Sequence, residues 1–335
     1  MWLTSFGLSL SMLKSRNLSF EYRSGKPVLR RINFIVQEGE FISILGESGS
    51  GKSTLLKLIY GLEDATIGEI LYQDEPVKGP AFQLVPGHPK MKFVTQEFDL
   101  SETVSVAENT GKYLSNSNLI KKKRNINKAL KAVGLYAYRN ELPSKMSGGQ
   151  RQRISIAAAL AAKPEVLLLD EPYGHLDQSL KFEIRNGIRE WAAENRVTVL
   201  ITTHDIHDAM GYSDRIFVIK QGRIIQMDKP MELRNHPKSE YVAGLLGVYS
   251  ALDSMEMRRL FKIKIDEKEK AILYPDEVVI NPKGHEFLIE ESIFQGHNFL
   301  NKAVNEKAVV YFYSEQKPDK QFIYLKIKQF RTVKK

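Results

Sequence analysis

The 335-residue chain has no cysteine, which excludes a disulfide framework and any thiolate metal site and permits a reducing compartment. It also lacks any apolar run approaching the ~18 to 20 residues that span a bilayer, so membrane association is expected to come through a partner. The opening residues, MWLTSFGLSLS, are mildly apolar but have neither the charged start nor the cleavage site of a secretory leader. Met12 is therefore the expected start, with residues 1–12 read as a non-native or disordered extension. What remains is a chain long enough for two domains and a sizeable core.

Its first distinctive stretch is GESGSGKST, Gly46 to Thr54, which follows the apolar run Phe41 to Leu45 and precedes the helix-compatible Leu55 to Gly61. A glycine-rich turn capping a helix would use similar residues, but the strand-to-helix context matches the phosphate-loop pattern. Gly46, Gly49 and Gly51, with Ser48 and Ser50 between them, let successive backbone amides turn toward one anion, and the following helix adds the positive end of its dipole. Lys52 is expected to reach the β and γ phosphates, Ser53 to bind Mg²⁺, and Thr54 to supply a second hydroxyl. Further on, Val166 to Leu169 is a continuous apolar run ending in Asp170 and Glu171, as in a parallel strand buried on both faces. A carboxylate at that strand end can hold Mg²⁺ through water, which leaves Glu171 to orient and polarise an attacking water. Between these motifs lies MSGGQ, Met146 to Gln150. Ser147 as an N-cap followed by Gly148 and Gly149 makes an amide-rich helix start, a second anion site in a chain that already has one. The economical reading is that this site serves the γ phosphate held by a second copy, in a head-to-tail dimer.

In this order the motifs resemble the nucleotide-binding subunit of ATP-binding cassette transporters, over roughly Leu13 to Gly247. The resemblance implies an α/β fold: a P-loop NTPase with a mixed or parallel sheet in an ATPase domain at 13–247, with an inserted helical subdomain at about 97–160. It implies that Tyr22 stacks on adenine, that Gln96 in FVTQE contacts Mg²⁺ and the attacking water, and that His204 in ITTHD contacts the γ phosphate. Leu176 and Asp177 match the loop that crosses the dimer interface. Ser147, Gly149 and Gln150 of one protomer then act on ATP held by Lys52, Ser53, Gln96, Asp170, Glu171 and His204 of the other. Taken singly, these residues have plainer readings: Tyr22 as a strand aromatic sharing a face with Phe20, Gln96 as a polar loop residue, His204 as a helix-start residue like the bystanders His175 and His207. The family often has a serine where Gly174 stands and a smaller residue than His175, so the interface loop departs in detail.

The formal net charge of +9 and the run KKKR at Lys121 to Arg124 invite a nucleic-acid reading. The plainer reading is a solvated helix face, because Val104, Val106, Leu114, Ile120, Leu130, Val133 and Leu135 supply that segment with an apolar side. Basic surfaces equally suit nucleotide attraction and the neighbourhood of anionic lipid. After Gly247 the texture changes to alternating stretches at Phe261 to Ile265, Glu277 to Ile280, Val309 to Tyr313 and Phe322 to Ile327, a small β-rich domain at 250–335. YPDEVVI at Tyr274 to Ile280 and IFQG at Ile293 to Gly296 resemble the oligonucleotide-fold-like barrel of importer ATPases for polyamines, ferric iron, sulfate and sugars. That domain either stabilises the dimer or regulates it. The resemblance thus implies an ATPase at the cytoplasmic face of the membrane, using ATP and Mg²⁺. It would act as a homodimer or beside a second ATPase, with two membrane-spanning permease subunits and an extracytoplasmic solute-binding protein. An efflux or lipoprotein-release system is the alternative, and a soluble ATPase acting on nucleic acid or the ribosome a further one. Neither a long coiled-coil insertion nor a second cassette is present to favour the last.

Overall fold

The apolar runs flanking the motifs become the strands that hold them. In the computed structural model, which describes residues 11–22, 25–95, 99–174 and 176–335, the first of two units, Met1–Pro230, has the following order. It runs β1 (Ser11–Glu21), β2 (Pro27–Gln37), β3 (Phe41–Leu45), α1 (Lys52–Tyr60), β4 (Ile67–Tyr72), β5 (Glu75–Pro76), β6 (Met91–Val94), α2 (Val106–Thr110), α3 (Leu119–Ala132) and α4 (Gly148–Ala161). Then come β7 (Val166–Asp170), α5 (Gln178–Asn195), β8 (Thr198–Thr203), α6 (Ile206–Met210), β9 (Arg215–Lys220) and β10 (Arg223–Asp228).

The central sheet has the order β10-β9-β3-β8-β7-β6; its strands are parallel except β10, which returns antiparallel at the edge. Every residue of β3 and β7 is buried, as a continuous apolar run requires of a strand covered on both faces. Side-chain alternation decides what each residue covers. Ile42, Ile44, Val166, Leu168 and Leu200 enter a core completed by α1 and by the antiparallel sheet β2-β1-β4-β5. Phe41, Leu167, Leu169, Val199 and Ile201 enter the opposite core, completed by α3, α4 and α5. The residues expected to form the site, at the carboxyl ends of β7 and β8, are therefore carried by strands packed from both sides.

The helices between β6 and β7 begin at side-chain caps. Ser105 and Glu108 form a capping box at α2, Asn118 caps α3, and Ser147 caps α4. The buried stripe of α3 is Ile126, Ala129 and Leu130, spaced as one helix face. Ile120, expected on the apolar side, is instead 85% exposed, because it lies in the first turn, ahead of that stripe. Lys121, Lys123 and Arg124 are also exposed there.

The second unit, Met231–Lys335, begins within α7 (Pro230–Asn235). It contains α8 (Glu240–Leu245), β11 (Ser250–Leu252), α9 (Ser254–Phe261), β12 (Glu269–Leu273), β13 (Val278–Phe294), β14 (Phe299–Asn305), β15 (Ala308–Ser314), β16 (Phe322–Ile327) and β17 (Arg331–Lys334). Two antiparallel sheets, β11-β12-β17 and β15-β14-β13-β16, contribute to one core around Leu273, Phe287, Phe312 and Leu325. Ala243 of α8 packs with Ile272, Tyr274 and Val333, which places this helix in the second unit although it precedes the change of texture after Gly247. The alternation at Phe261 to Ile265 reads as a strand, but Phe261 ends α9 and the residues after it adopt no regular element. Asp253 and Glu256 start that helix with a capping box, and Lys262, left-handed at φ 60, ends it.

Candidate active site

Helix α1 begins at Gly51, which is left-handed at φ 106, with no side-chain cap and no acid in the first turn. Its first amides and the positive end of its dipole are thus left for an anion. At that φ any side chain is strained, and a Cβ at Gly51 would lie 3.2 Å from the carbonyl of Val28 and 2.7 Å from Leu29 Cδ2, so the close seating of the loop on β2 favours glycine. Lys52 donates to the carbonyls of Gly46 and Glu47, both at 2.9 Å, and its Nζ lies 3.8 Å from Glu171 Oε1. Burial pulls this ammonium below the ordinary lysine range, against the opposing charges of Glu171 and Asp170.

The carboxyl end of β7 meets the start of α1. Ser53 Oγ donates to Asp170 Oδ1 at 2.9 Å, and Thr202 Oγ1 on β8 donates to the same oxygen at 2.6 Å. Thr202 Oγ1 also accepts the Glu171 amide at 2.9 Å. Glu171 itself is left-handed at φ 45, a costly conformation for a residue with a Cβ. Its carbonyl accepts the Gln152 side-chain amide at 3.3 Å, and its Oε2 lies 3.2 Å from His204 Nδ1. One carboxylate oxygen thus faces the lysine of the loop and the other faces a histidine that is 62% exposed.

These groups fit a nucleoside triphosphate with Mg²⁺. Ser50 Oγ is buried without a hydrogen-bond partner, an orphan that a phosphate oxygen would satisfy. No atom lies within 4 Å of a Cβ built on Gly49, so the loop leaves space for a ligand. The Ser53 hydroxyl and the Asp170 carboxylate are oxygen donors of the kind Mg²⁺ takes in small number, its remaining positions being filled by phosphates and water. Among the described residues no cluster of three or more His, Asp or Glu could hold a metal alone.

Of the remaining expected residues, Tyr22 follows β1 and is 42% exposed, edge-on to the buried Phe20 at 4.7 Å. Its ring is therefore available for stacking rather than sunk in the strand's core. Ser147 and Gln150 form a reciprocal capping box on α4, Ser147 N donating to Gln150 Oε1 at 2.9 Å and Gln150 N to Ser147 Oγ at 3.3 Å. No atom lies within 4 Å of a Cβ built on Gly148. Among the described residues no hydrogen bond or ion pair joins Ser147–Gln150 to the Gly46–Thr54 loop of the same chain. Asp177 caps α5, accepting from the Leu180 amide at 3.0 Å. Gln96, and with it the expected contact to Mg²⁺ and water, lies outside the described residues, as does His175.

Three contributors escaped sequence reasoning. Thr202 reads as an ordinary strand residue, although a hydroxyl on the strand beside the one that ends in Asp170 and Glu171 is a signal. Gln152 reads as an ordinary helix residue. Gly222, left-handed at φ 74, donates from its amide to Ser50 O at 3.0 Å and accepts from Arg30 N at 2.8 Å. The QG dipeptide between two β-type runs marked that turn, but nothing local linked it to the phosphate loop.

Comparison with known proteins identifies the family. Residues 29–174 match the family described as ABC transporter. The spermidine/putrescine import ATP-binding protein PotA of Clostridium novyi is 31% identical over 307 residues, covering 86% of this chain and 87% of that protein. Its counterpart in Mycoplasma mycoides is 36% identical over 263 residues, 77% of this chain and 73% of that one. The sulfate/thiosulfate import ATP-binding protein CysA of Brucella melitensis is 38% identical over 232 residues, 68% and 64% of the two chains. Among solved structures, a dimeric ATP-binding cassette in a post-hydrolysis state with ADP and Pi superposes with TM-score 0.58 at 31% identity, covering 65% of this chain and 99% of that one. The chain belongs to the ABC transporter family, as an ATP-binding subunit that hydrolyses ATP.

Proposed function

We propose that this subunit powers solute import through two separate membrane-spanning permease subunits, from the cytoplasmic face of the membrane and with an extracytoplasmic solute-binding protein delivering the cargo. Relatives named for the import of spermidine and putrescine or of sulfate and thiosulfate support an importer; the cargo belongs to the partner subunits. Two ATPase subunits, either two copies of this chain or this chain and a second one, close around ATP. Tyr22 stacks on adenine, and the loop amides of Gly46 to Thr54 with Lys52 hold the phosphates. Ser53, Asp170 and Gln96 hold Mg²⁺, which when bound neutralises charge developing on the phosphates. Glu171 orients the attacking water and draws off its proton. His204 contacts the γ phosphate and, across the interface, the Ser147 helix start with Gly148, Gly149 and Gln150 completes the site. Because ATP binds the closed pair better than the open one, binding drives closure and hydrolysis releases it.

The observation that carries this reading is the placement of Glu171 between Lys52, at 3.8 Å, and His204, at 3.2 Å, directly after the Asp170 that receives Ser53. Glu171→Gln tests it. The variant is expected to bind ATP normally, to lose more than about 90% of turnover, as removal of a positioned base does, and to accumulate as an ATP-bound dimer in size-exclusion chromatography. A variant that hydrolyses ATP as a monomer overturns the reading.

A further inference from the structure

His204 is 62% exposed yet sits 3.2 Å from Glu171, so its position is set by the turn that carries it. That turn is gripped from α5. Thr203 Oγ1, just before His204, accepts the Asp205 amide at 3.0 Å and donates to Asp208 Oδ2 at 3.1 Å. Asp208 Oδ1 accepts from Arg185 Nη1 at 2.9 Å, and the same nitrogen donates to the carbonyl of His207 at 3.0 Å. On the other side of His204, Asp205 Oδ2 lies 3.7 Å from Lys181 Nζ, one helical turn before Arg185. The Arg185 guanidinium stacks over Tyr212, 4.8 Å from its ring centre. The Arg185 and Asp208 side chains are only 8% and 6% exposed.

A buried ion pair is poor evidence of stabilisation, because apolar residues of similar volume commonly replace such a pair without loss. What this pair supplies that apolar residues cannot is direction: three hydrogen bonds converge on residues 203, 207 and 208, which bracket His204. We propose that Arg185 and Asp208 are positioning residues for ATP hydrolysis, which act through Thr203 to hold His204 in register with Glu171 and the γ phosphate. This rests on the assignment of His204 to the γ phosphate.

The test is a double-mutant cycle on the full chain, reading steady-state ATP hydrolysis, ADP affinity and thermal unfolding. Arg185→Met with Asp208→Leu removes the charges and keeps the volume. It is expected to unfold within a few degrees of the parent and to bind ADP as tightly. Its kcat should fall by about tenfold or more, as misplacing a reacting group does, with KM changed by less than about twofold. Combined with His204→Ala it should show no further loss, because both changes remove one contribution. Arg185→Lys, which keeps a donor, should recover part of the rate. A parental kcat in the double variant, or a loss that multiplies with that of His204→Ala, overturns the proposal. If the apolar pair does not fold, Thr203→Val removes the linking hydroxyl alone; kcat should again drop with ADP affinity intact, and a parental rate overturns the proposal. An inert His204→Ala would instead refute the assignment of His204 itself.

Discussion

Thr202 offers the sharpest test of how the strand ends are held. Its single hydroxyl donates to Asp170 Oδ1 at 2.6 Å and accepts the Glu171 amide at 2.9 Å, and the residue is fully buried. Thr202→Val preserves the shape and deletes both bonds. Losing a hydrogen bond to a charged acceptor removes about 1.5–3 kcal/mol, and an orphaned buried amide costs about 1–3 kcal/mol. Asp170 keeps its bond from Ser53 at 2.9 Å, which limits the first loss, so about 3 kcal/mol is the central expectation. In a unit of this size that corresponds to roughly 6–12 °C in the unfolding midpoint, read by calorimetry. Turnover should fall by about ten- to a hundredfold, because Glu171 at φ 45 loses the bond that restrains it in that conformation. Thr202→Ser, which keeps the hydroxyl and loses a methyl group, should cost about 1 kcal/mol and retain most activity. If Thr202→Val unfolds within about 0.5 kcal/mol of the parent and hydrolyses ATP at the parental rate, the hydroxyl does not hold these two carboxylate residues and the reasoning fails.

Other predictions follow from individual groups. Burial lowers the Lys52 pKa and bound phosphate raises it again, so ATP binding should take up a proton at alkaline pH. Affinity should be full below the depressed pKa and decline as pH rises through it, and Lys52→Arg should flatten that dependence in titration calorimetry. At Gly222 a Cβ would lie 2.2 Å from Val28 O with φ at 74, so Gly222→Ala should cost at least about 1–2 kcal/mol and weaken ADP binding through Ser50. In the second unit Glu277 pairs with both Arg331 amines at 2.6 Å and accepts Tyr274 N at 2.9 Å. Glu277→Ala strands a buried guanidinium and should destabilise that unit by about 3–5 kcal/mol, seen as an earlier unfolding transition with ATP hydrolysis by the first unit retained.

What could be read in advance was what is local. Val166–Leu169 is uniformly apolar and Phe41–Leu45 is broken only by Ser43, so neither run suits water on either side, and each leads into residues whose chemistry suits phosphate or metal, so strand, burial and candidate site were legible together. The alternation at Phe261 to Ile265 reads as a strand because period two in a short stretch competes with helix-start signals, and Asp253 with Glu256 fixes α9 from outside that window. Ile120 misled because apolar residues in a segment need not share its buried stripe. Thr202, Gln152 and Gly222 were invisible for a different reason. Each acts on residues 19, 31 or further away in sequence, a closeness created only by the parallel strands, the seating of α4 beside the end of β7 and the β9–β10 turn.

Gln150 shows how such a tertiary or cap contact refines a motif already seen. Its side chain and the Ser147 backbone amide satisfy each other at 2.9 Å, and its own amide is bound to Ser147 Oγ at 3.3 Å. A serine oxygen that accepts from below keeps its hydroxyl hydrogen for a group above it. The donors left for an anion at this helix start are then the Ser147 hydroxyl and the amides of Gly148 and Gly149, with open space at Gly148 where a side chain would stand. A glutamine at the third helical position therefore presents the serine before it touches any ligand. If this helix start meets a partner's phosphate, as proposed, a side chain at Gly148 would project into the space that phosphate would enter.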